Sequence, residues 1–341
     1  MNRLNRLRKP NIISPLACVL LALGATALAH AQGIRLEGYP YPFPERVFVF
    51  ESQRQQLEMV YMDQEPDARE RGESVLLLHG KNFSGSYFEE TAKALVEQGY
   101  RVVMPDQVGF GKSSKPQNYA YSFHQLALNT KRLLEELKIE SVHVLGHSMG
   151  GMIARRFALM YPESTDTLTL LNPIGLEDWK ADGVPYRPID EWYERELGKT
   201  KEKIKEYQLS SYYDGKWKDA YDPWVEQLAA YLDSPNYPRM AWNQALTYDM
   251  IYAQPVVYEF PKIEVPTLLI IGQRDRTALG KDMVDPKTKA RLGNYPELGQ
   301  ATHEAIRNSE LVELEGIGHL PHIEAFERFV SPYLSFLKSN S

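Results

Sequence analysis

The chain is predicted to fold as an α/β protein on a mostly parallel sheet, and three observations lead there. Short apolar runs alternate with amphipathic helical stretches from residue 74 to 173, and again from 266 to 338. Several of the runs are apolar at nearly every position, as strands covered on both faces are. The alternation then stops between residues 174 and 262, where the composition changes, so that region reads as an insertion between two strands of one sheet.

Taken in order, "RVFVFES" (46–52) and "QLEMVYMD" (56–63) alternate and are rich in β-branched and aromatic residues, which predicts a two-stranded start. "SVLLLHG" (74–80) predicts a buried strand closed by glycine. A helix over 87–99 with a glycine stop and a strand over 100–106 follow. "SFHQLALNTKRLLEELK" (122–138) predicts an amphipathic helix with Ser122 as N-cap. "VHVLG" (142–146) is a strand, "MGGMIARRFALMYP" (149–162) a helix stopped near Pro162, and "TDTLTLLNP" (165–173) the next strand. After the insertion come "PTLLIIGQRD" (266–275), a helical stretch near 296–308, "SELVELEG" (309–316) and a final helix near 322–338.

The insertion, 174–262, holds all five tryptophans and 11 of the 21 tyrosines. It is expected to be a mainly helical cap whose aromatics pack a small subdomain or, gathered at a cleft, line an apolar pocket. The core is assigned to residues 32–173 and 263–341.

Residues 1–31 read as a secretory signal: Arg3, Arg6, Arg8 and Lys9, an apolar run from Leu16 to Ala29, then "AHA" with cleavage after Ala31. The run of 14 residues falls short of the roughly 20 a bilayer span needs. Cys18 precedes most of that run, which is the wrong place for a lipid anchor, and it is the only cysteine. The mature chain therefore forms no disulfide and has no thiol nucleophile. Losing the four basic residues leaves 35 basic against 45 acidic side chains. Such a balance disfavours nucleic acid and anionic membrane surfaces. The expected location is periplasmic or secreted, with no membrane span in the mature chain. No zinc-protease, paired-cysteine or phosphate-loop spacing occurs, so no metal or cofactor is expected.

Within "VHVLGHSMGG" (142–151), Ser148 stands in G-x-S-x-G. By composition a chain of this length contains that pattern by chance roughly one time in ten. The buried strand before it and the helix after it give it weight. Glycines relieve the crowding of a sharp strand-to-helix turn, which leaves the serine exposed at the sheet edge beside the helix N-terminus. The Met149 amide is then placed to stabilise an oxyanion.

A serine needs a base, and the base an orienting acid. Of the seven histidines after residue 31, only His319 lies in a glycine-flanked loop, "GIGHLPH", after a late strand. His143 and His147 flank the serine strand and read as structural, His79 as a loop brace, and His322 as a surface or supporting residue. His124 and His303 read as facing solvent. Asp275 ends the "LLIIGQRD" strand, whereas its rivals Asp282 and Asp285 lie further on. The order Ser148, Asp275, His319 is that of a nucleophile-elbow hydrolase. A second oxyanion amide is expected from Lys81, Asn82 or Phe83 in "HGKNFSG", with Asn82 preferred.

These blocks, "LLLHG" (76–80), "PDQVGFGKSSKP" (105–116), "GHSMGG" (146–151), "LLIIGQRD" (268–275) and "GIGHLPHIEAFERF" (316–329), together resemble the α/β-hydrolase-fold superfamily. They span about residues 74–172 and 266–338. The resemblance implies an eight-stranded sheet, a cap at the insertion, and a cofactor-free serine hydrolase. The D-x-x-G-F-G-x-S loop (106–113) is similar to that of dehalogenases and epoxide hydrolases of this fold, whose nucleophile is aspartate; Ser148 argues against their chemistry here. The 44 residues from Asp275 to His319 are a departure from the family, and 281–300 is expected as a loop over the site.

The leading expectation is hydrolysis of a carboxylic ester with a small or medium hydrophobic group, through an acyl-enzyme. One alternative is carbon–carbon bond hydrolysis in a vinylogous diketone. Another, from a different class, is a non-catalytic ligand-binding protein on the same fold.

Overall fold

A computed structural model describes residues 33–66 and 71–341; the export signal expected over 1–31 lies outside them. Among the described residues, eight strands run β1 (Glu45–Ser52), β2 (Gln55–Gln64), β3 (Ser74–Leu78), β4 (Arg101–Pro105), β5 (Val142–His147), β6 (Thr165–Leu171), β7 (Thr267–Gly272) and β8 (Ser309–Leu314). They form one sheet in the order β1-β2-β4-β3-β5-β6-β7-β8. β2 is antiparallel to β1 and β4, and every other neighbouring pair is parallel.

The helices are α1 (Glu89–Glu97), α2 (Phe123–Glu136), α3 (Met149–Met160), α4 (Ile189–Leu197), α5 (Lys201–Ser211), α6 (Asp222–Ala229), α7 (Tyr237–Ala253), α8 (Pro286–Arg291), α9 (Tyr295–Ala305), α10 (Pro321–Glu324) and α11 (Phe326–Ser339). The continuous apolar strands are explained by the pleat, since successive side chains go to opposite faces and both faces are covered. Leu76 and Leu78 join Leu133, Phe157 and Tyr295 in one core. Val75 and Leu77 join Leu95, Phe329 and Phe336 in the other. Ser122 caps α2 by accepting from the Gln125 amide at 3.0 Å.

The last helix differs from its expected single span, being broken at Ala325 (φ −150°, ψ 60°) into α10 and α11. The reason is local. Glu324 at the end of α10 accepts from the Gly318 amide at 2.8 Å and pairs with Arg274, so the first turn is committed to the loop before it.

The strand order reverses at β3, with β4 on one side and β5 on the other. A crevice at the carboxyl ends of the strands is the expected ligand position in such a sheet. Four helices, α4 to α7, lie between β6 and β7. They are fastened over the loops after β3 and β4: Gln227 donates to Ser86 at 2.7 Å, Tyr231 to the Gly111 carbonyl at 3.2 Å, and Tyr121 to Asn243. Among the described residues, no helix is long and apolar enough to cross a membrane.

Candidate active site

β5 ends at His147 and α3 starts at Met149, which leaves Ser148 alone in the turn with φ 55° and ψ −122°. A non-glycine residue in such a conformation costs of order 1–3 kcal/mol. Its surroundings hold it there. The Ser148 amide donates to the Leu171 carbonyl at 3.3 Å, and its carbonyl accepts from Gly151 at 2.9 Å and Ile174 at 3.2 Å. The flanking glycines are a packing requirement. A Cβ on Gly146 would meet the Gly150 carbonyl oxygen at 2.3 Å, and one on Gly150 would meet that of Leu78 at 2.0 Å.

The loop after β8 brings His319 to Ser148, with Nε2 3.0 Å from the serine Oγ. On the other side, His319 Nδ1 lies 2.6 Å from Asp275 Oδ2. The ring therefore donates from Nδ1 to the carboxylate and offers Nε2 to the serine proton. Asp275, fully buried, also accepts from the Asn172 side-chain amide at 2.9 Å and the Thr277 amide at 2.8 Å. Burial alone would raise its carboxyl; the His319 ring and these donors outweigh that and hold it below the usual carboxylate range. Asn172 in turn accepts from the Gly272 amide at 2.9 Å, tying the end of β6 to the end of β7. Sequence reasoning passed over Asn172, although its place after β6, beside β7 in the parallel sheet, put it within reach of Asp275.

A second set of contacts connects three loops. The Gly80 amide donates to Tyr87 Oη at 2.9 Å, and Tyr87 lies 2.7 Å from His147 Nδ1. His147 Nε2 lies 2.8 Å from the His319 carbonyl oxygen. Because Tyr87 accepts from Gly80, it donates to Nδ1, and Nε2–H of a neutral His147 donates to His319. Burial, then the neighbouring His322 and His319, hold His147 well below its ordinary pKa, as the arrangement requires.

The other histidines fall elsewhere. His79 braces the loop after β4: its Nε2 accepts from Gln107 at 3.0 Å and its Nδ1 faces the Gly80 carbonyl at 2.8 Å. His143 contacts Thr167 at 3.0 Å, far along β5 from the serine. His124 is exposed, whereas His303 is half-buried and bonded to Ser309 at 2.8 Å, contrary to the solvent-facing expectation. His322 is not a surface residue but 4% exposed, against His147 and Tyr87 with ring centroids 4.8 Å from each. Among the described residues, neither of its nitrogens has a hydrogen-bond partner.

Of the candidate oxyanion amides, Phe83 is committed to the Gly80 carbonyl at 3.2 Å. The Lys81 and Asn82 amides find no acceptor among the described residues, and neither does Met149, the first N–H of α3. A Cβ on Gly80 would touch Ser148 Cβ at 3.0 Å, so Lys81 carries the first free amide beyond that contact. The Asn82 side chain donates to Tyr212 at 2.9 Å, and the Tyr212 ring stacks on His319 at 4.9 Å.

A chamber of about 70 Å³ opens on Ser148, walled by Lys81, Asn82, Ile174, Tyr207, Tyr212 and Tyr248 among others. A wider cavity of about 570 Å³ between α4 and α5 shares Asn82, Tyr207 and Tyr248 with it. The aromatics that the insertion brings to this chamber are tyrosines, beside Phe83 from the loop after β3. Among the described residues no tryptophan lines it; Trp192 stands behind Tyr248, stacked at 4.2 Å, and Trp242 bonds instead to the Gln117 carbonyl at 3.0 Å.

Asp282 and Asp285 do not reach His319. Asp282 pairs with Arg187 at 2.8 Å and Arg195 at 2.6 Å, and Asp285 caps α8. Residues 281–300, expected as a loop over the site, instead hold α8 and the start of α9. They brace the insertion through Asp282, and Thr277, Ala278 and Leu279, which do line the chamber, precede them. Among the described residues there is no cluster of histidine, cysteine and carboxylate groups that could hold a metal.

The sheet, its inserted helices and the serine turn define a hydrolase of the α/β class. Residues 73–326 match the family described as alpha/beta hydrolase fold, and the chain belongs to it. It is similar to a crystal structure described as a probable hydrolytic enzyme from Pseudomonas aeruginosa PAO1, at 50% identity and a TM-score of 0.89 over 90% of this chain and 98% of that one. It is 25% identical to lipase 1 of Psychrobacter immobilis over 78% of this chain and 77% of the lipase. It is 36% identical to a 2-hydroxy-6-oxononadienedioate/2-hydroxy-6-oxononatrienedioate hydrolase of Comamonas testosteroni, over 35% of this chain and 42% of that enzyme.

Proposed function

We propose that the protein is an exported serine hydrolase that cleaves carboxylic esters of small or medium size. The observation that carries this is the unbroken series from Ser148 Oγ through His319 to Asp275, at 3.0 and 2.6 Å, behind a serine held in a strained turn. Ser148 attacks the acyl carbon as His319 Nε2 takes its proton. The tetrahedral anion is met by the Met149 amide and by an amide of the Lys81–Asn82 loop. His319 protonates the departing alcohol, and the acyl-enzyme is then hydrolysed by water activated at the same nitrogen. Asp275 holds the tautomer and the imidazolium. The narrow chamber suits a short acyl group, with the wider cavity behind it for the rest of the substrate. The likeness to the Psychrobacter lipase supports the ester reading.

The test is labelling with a fluorophosphonate probe and hydrolysis of 4-nitrophenyl acetate, butyrate and octanoate. The expected result is labelling at Ser148, a preference for the shorter chains, and loss of both labelling and at least 1000-fold in kcat with Ser148→Ala. Absence of labelling and of turnover in the wild type would overturn the reading. A second reading, carbon–carbon bond hydrolysis, is favoured by the likeness to the Comamonas enzyme; turnover of a 2-hydroxy-6-oxo-dienoate in preference to every ester would establish it.

A further inference from the structure

Lys81 stands one residue past the glycine that touches Ser148, and its side chain is buried, 9% exposed. The ammonium has only neutral partners: Gln244 Oε1 at 2.6 Å, the Gln244 carbonyl at 3.3 Å, and the face of Tyr248, with Nζ 3.7 Å from the ring centroid. Among the described residues no carboxylate lies within ion-pair distance of it. The charges that act on it are Glu196 at the end of α4, which favours the ammonium, and Lys199 just beyond, which opposes it. Glu196, 2% exposed, is already paired with Lys199 at 2.7 Å. Two cations thus share one carboxylate, and the unmatched positive charge falls on Lys81.

Buried charges in folded proteins are ordinarily paired. Here the missing partner has a place to come from. Lys81 and Tyr248 both line the chamber that opens on Ser148, and Lys81 also lines an adjoining cavity with Glu196, Lys199 and Gln244. Because Ser148 and Lys81 line the same chamber, a substrate with its ester carbonyl at Ser148 can carry an anionic group toward Lys81.

We infer that Lys81 is a specificity-determining residue that receives a carboxylate on the acyl side of the substrate, so that the preferred esters are monoesters of short dicarboxylic acids. This rests on the ester-hydrolase reading for the reaction, and on the geometry around Lys81 for the anion. Gln244 holds the ammonium in place through its side-chain oxygen, and Tyr248 closes one side against water. A neutral acyl chain of equal length leaves the charge unmatched.

The same burial gives the site a pH dependence. Desolvation, opposed by Glu196 and aided by Lys199, brings Lys81 down to about 7. The charged form that binds an anion is therefore present below that value and lost above it.

The experiment compares monomethyl glutarate with methyl pentanoate, following methanol release by proton NMR. At pH 6 the wild type is expected to favour the glutarate ester at least tenfold in kcat/KM, and the ratio is expected to fall below threefold at pH 9. Lys81→Met is expected to bring the ratio to one or below at both pH values. Lys81→Arg, which does not titrate, is expected to retain a preference at pH 9. The ratio reads specificity whatever the variant does to the overall rate. In parallel, Ser148→Ala is titrated calorimetrically with monomethyl glutarate, with binding expected at least tenfold tighter at pH 6 than at pH 9 and lost when Lys81→Met is added. Turnover of both esters with equal kcat/KM, or binding indifferent to Lys81, would overturn the assignment and leave the ester reading standing. Lysine-dependent binding with no turnover of any ester would overturn the ester reading and leave the anion site.

Discussion

His322 is a buried imidazole that the structure leaves without a partner, and its replacement has a calculable effect. Both ring nitrogens lack hydrogen bonds among the described residues, and the ring lies against His147, Tyr87 and Phe88. Burial, and then the nearby His319, push it from 6.5 down to about 3. Unfolded, a histidine takes up a proton near pH 6.5. Between pH 6.5 and 3 the unfolded state therefore holds one proton more than the folded state, so stability is present above pH 6.5 and lost on acidification, by about 1.4 kcal/mol per pH unit. From pH 7 to pH 5 the loss is about 2 kcal/mol. In His322→Leu that contribution vanishes. The variant also no longer buries two unpaired nitrogens, so it should match or exceed the wild type at pH 7. Urea unfolding of both proteins at pH 7 and pH 5 gives the answer as a difference of differences, in which the other buried histidines cancel. An equal acid loss in the two proteins would refute a neutral, unpartnered His322.

Two further substitutions test how the site is held. Tyr87→Phe strands the buried Gly80 amide and His147 Nδ1 while keeping the ring stacked on Phe83, 4.6 Å away. At about 1–3 kcal/mol for each orphaned group, the expected loss is about 2–6 kcal/mol by urea unfolding, with a fall of tenfold or more in kcat because the loop packed against Ser148 begins at Gly80. Gly150→Ala drives a methyl to 2.0 Å from the Leu78 carbonyl oxygen, a backbone atom that has nowhere to go. It should cost about 3 kcal/mol or more, read as a lowered melting temperature, together with loss of turnover as α3 is displaced from β3.

The core was legible because its physical signals are local. Runs such as "VLLL" (75–78) and "LLII" (268–271) are apolar at every position only when both faces of a strand are covered, and the structure covers both. Ser122 was readable as a cap for the same reason: a cap is a relation across three residues. Ser148, His319 and Asp275 could be named because each sits just beyond a strand's carboxyl end, so strand assignment already places them together. What escaped was whatever depends on distant residues meeting. Asn172 meets Asp275 across 103 positions, and Lys81 meets Gln244 across 163. Nothing in the residue types announces either pair. The same holds for 281–300, where the helical turn capped by Asp285 was there to read, but the pairing of Asp282 with Arg187 and Arg195 was not.

The two kinds of contact also divide the work of the site. His319 and Asp275 are held by short chains of hydrogen bonds, neutral except at the Asp275 carboxylate, that run from one strand end to the next: Gly80 to Tyr87 to His147 to His319, and Gly272 to Asn172 to Asp275. Neutral donors and acceptors keep their geometry as pH and substrate change, which suits groups that must stay within hydrogen-bond reach of one another. The inserted helices meet this frame chiefly at the loops after β3 and β4, through Gln227, Tyr231, Asn243 and Gln244. Their charged and aromatic side chains, Glu196, Lys199, Tyr207 and Tyr248, line the chamber's approach but make none of the bonds that align Ser148 and His319. Substitutions there should move KM and the choice of substrate before they move kcat. Lys81 is the position where the divisions overlap, since its amide belongs to the loop that touches Ser148 and its ammonium belongs to the insertion.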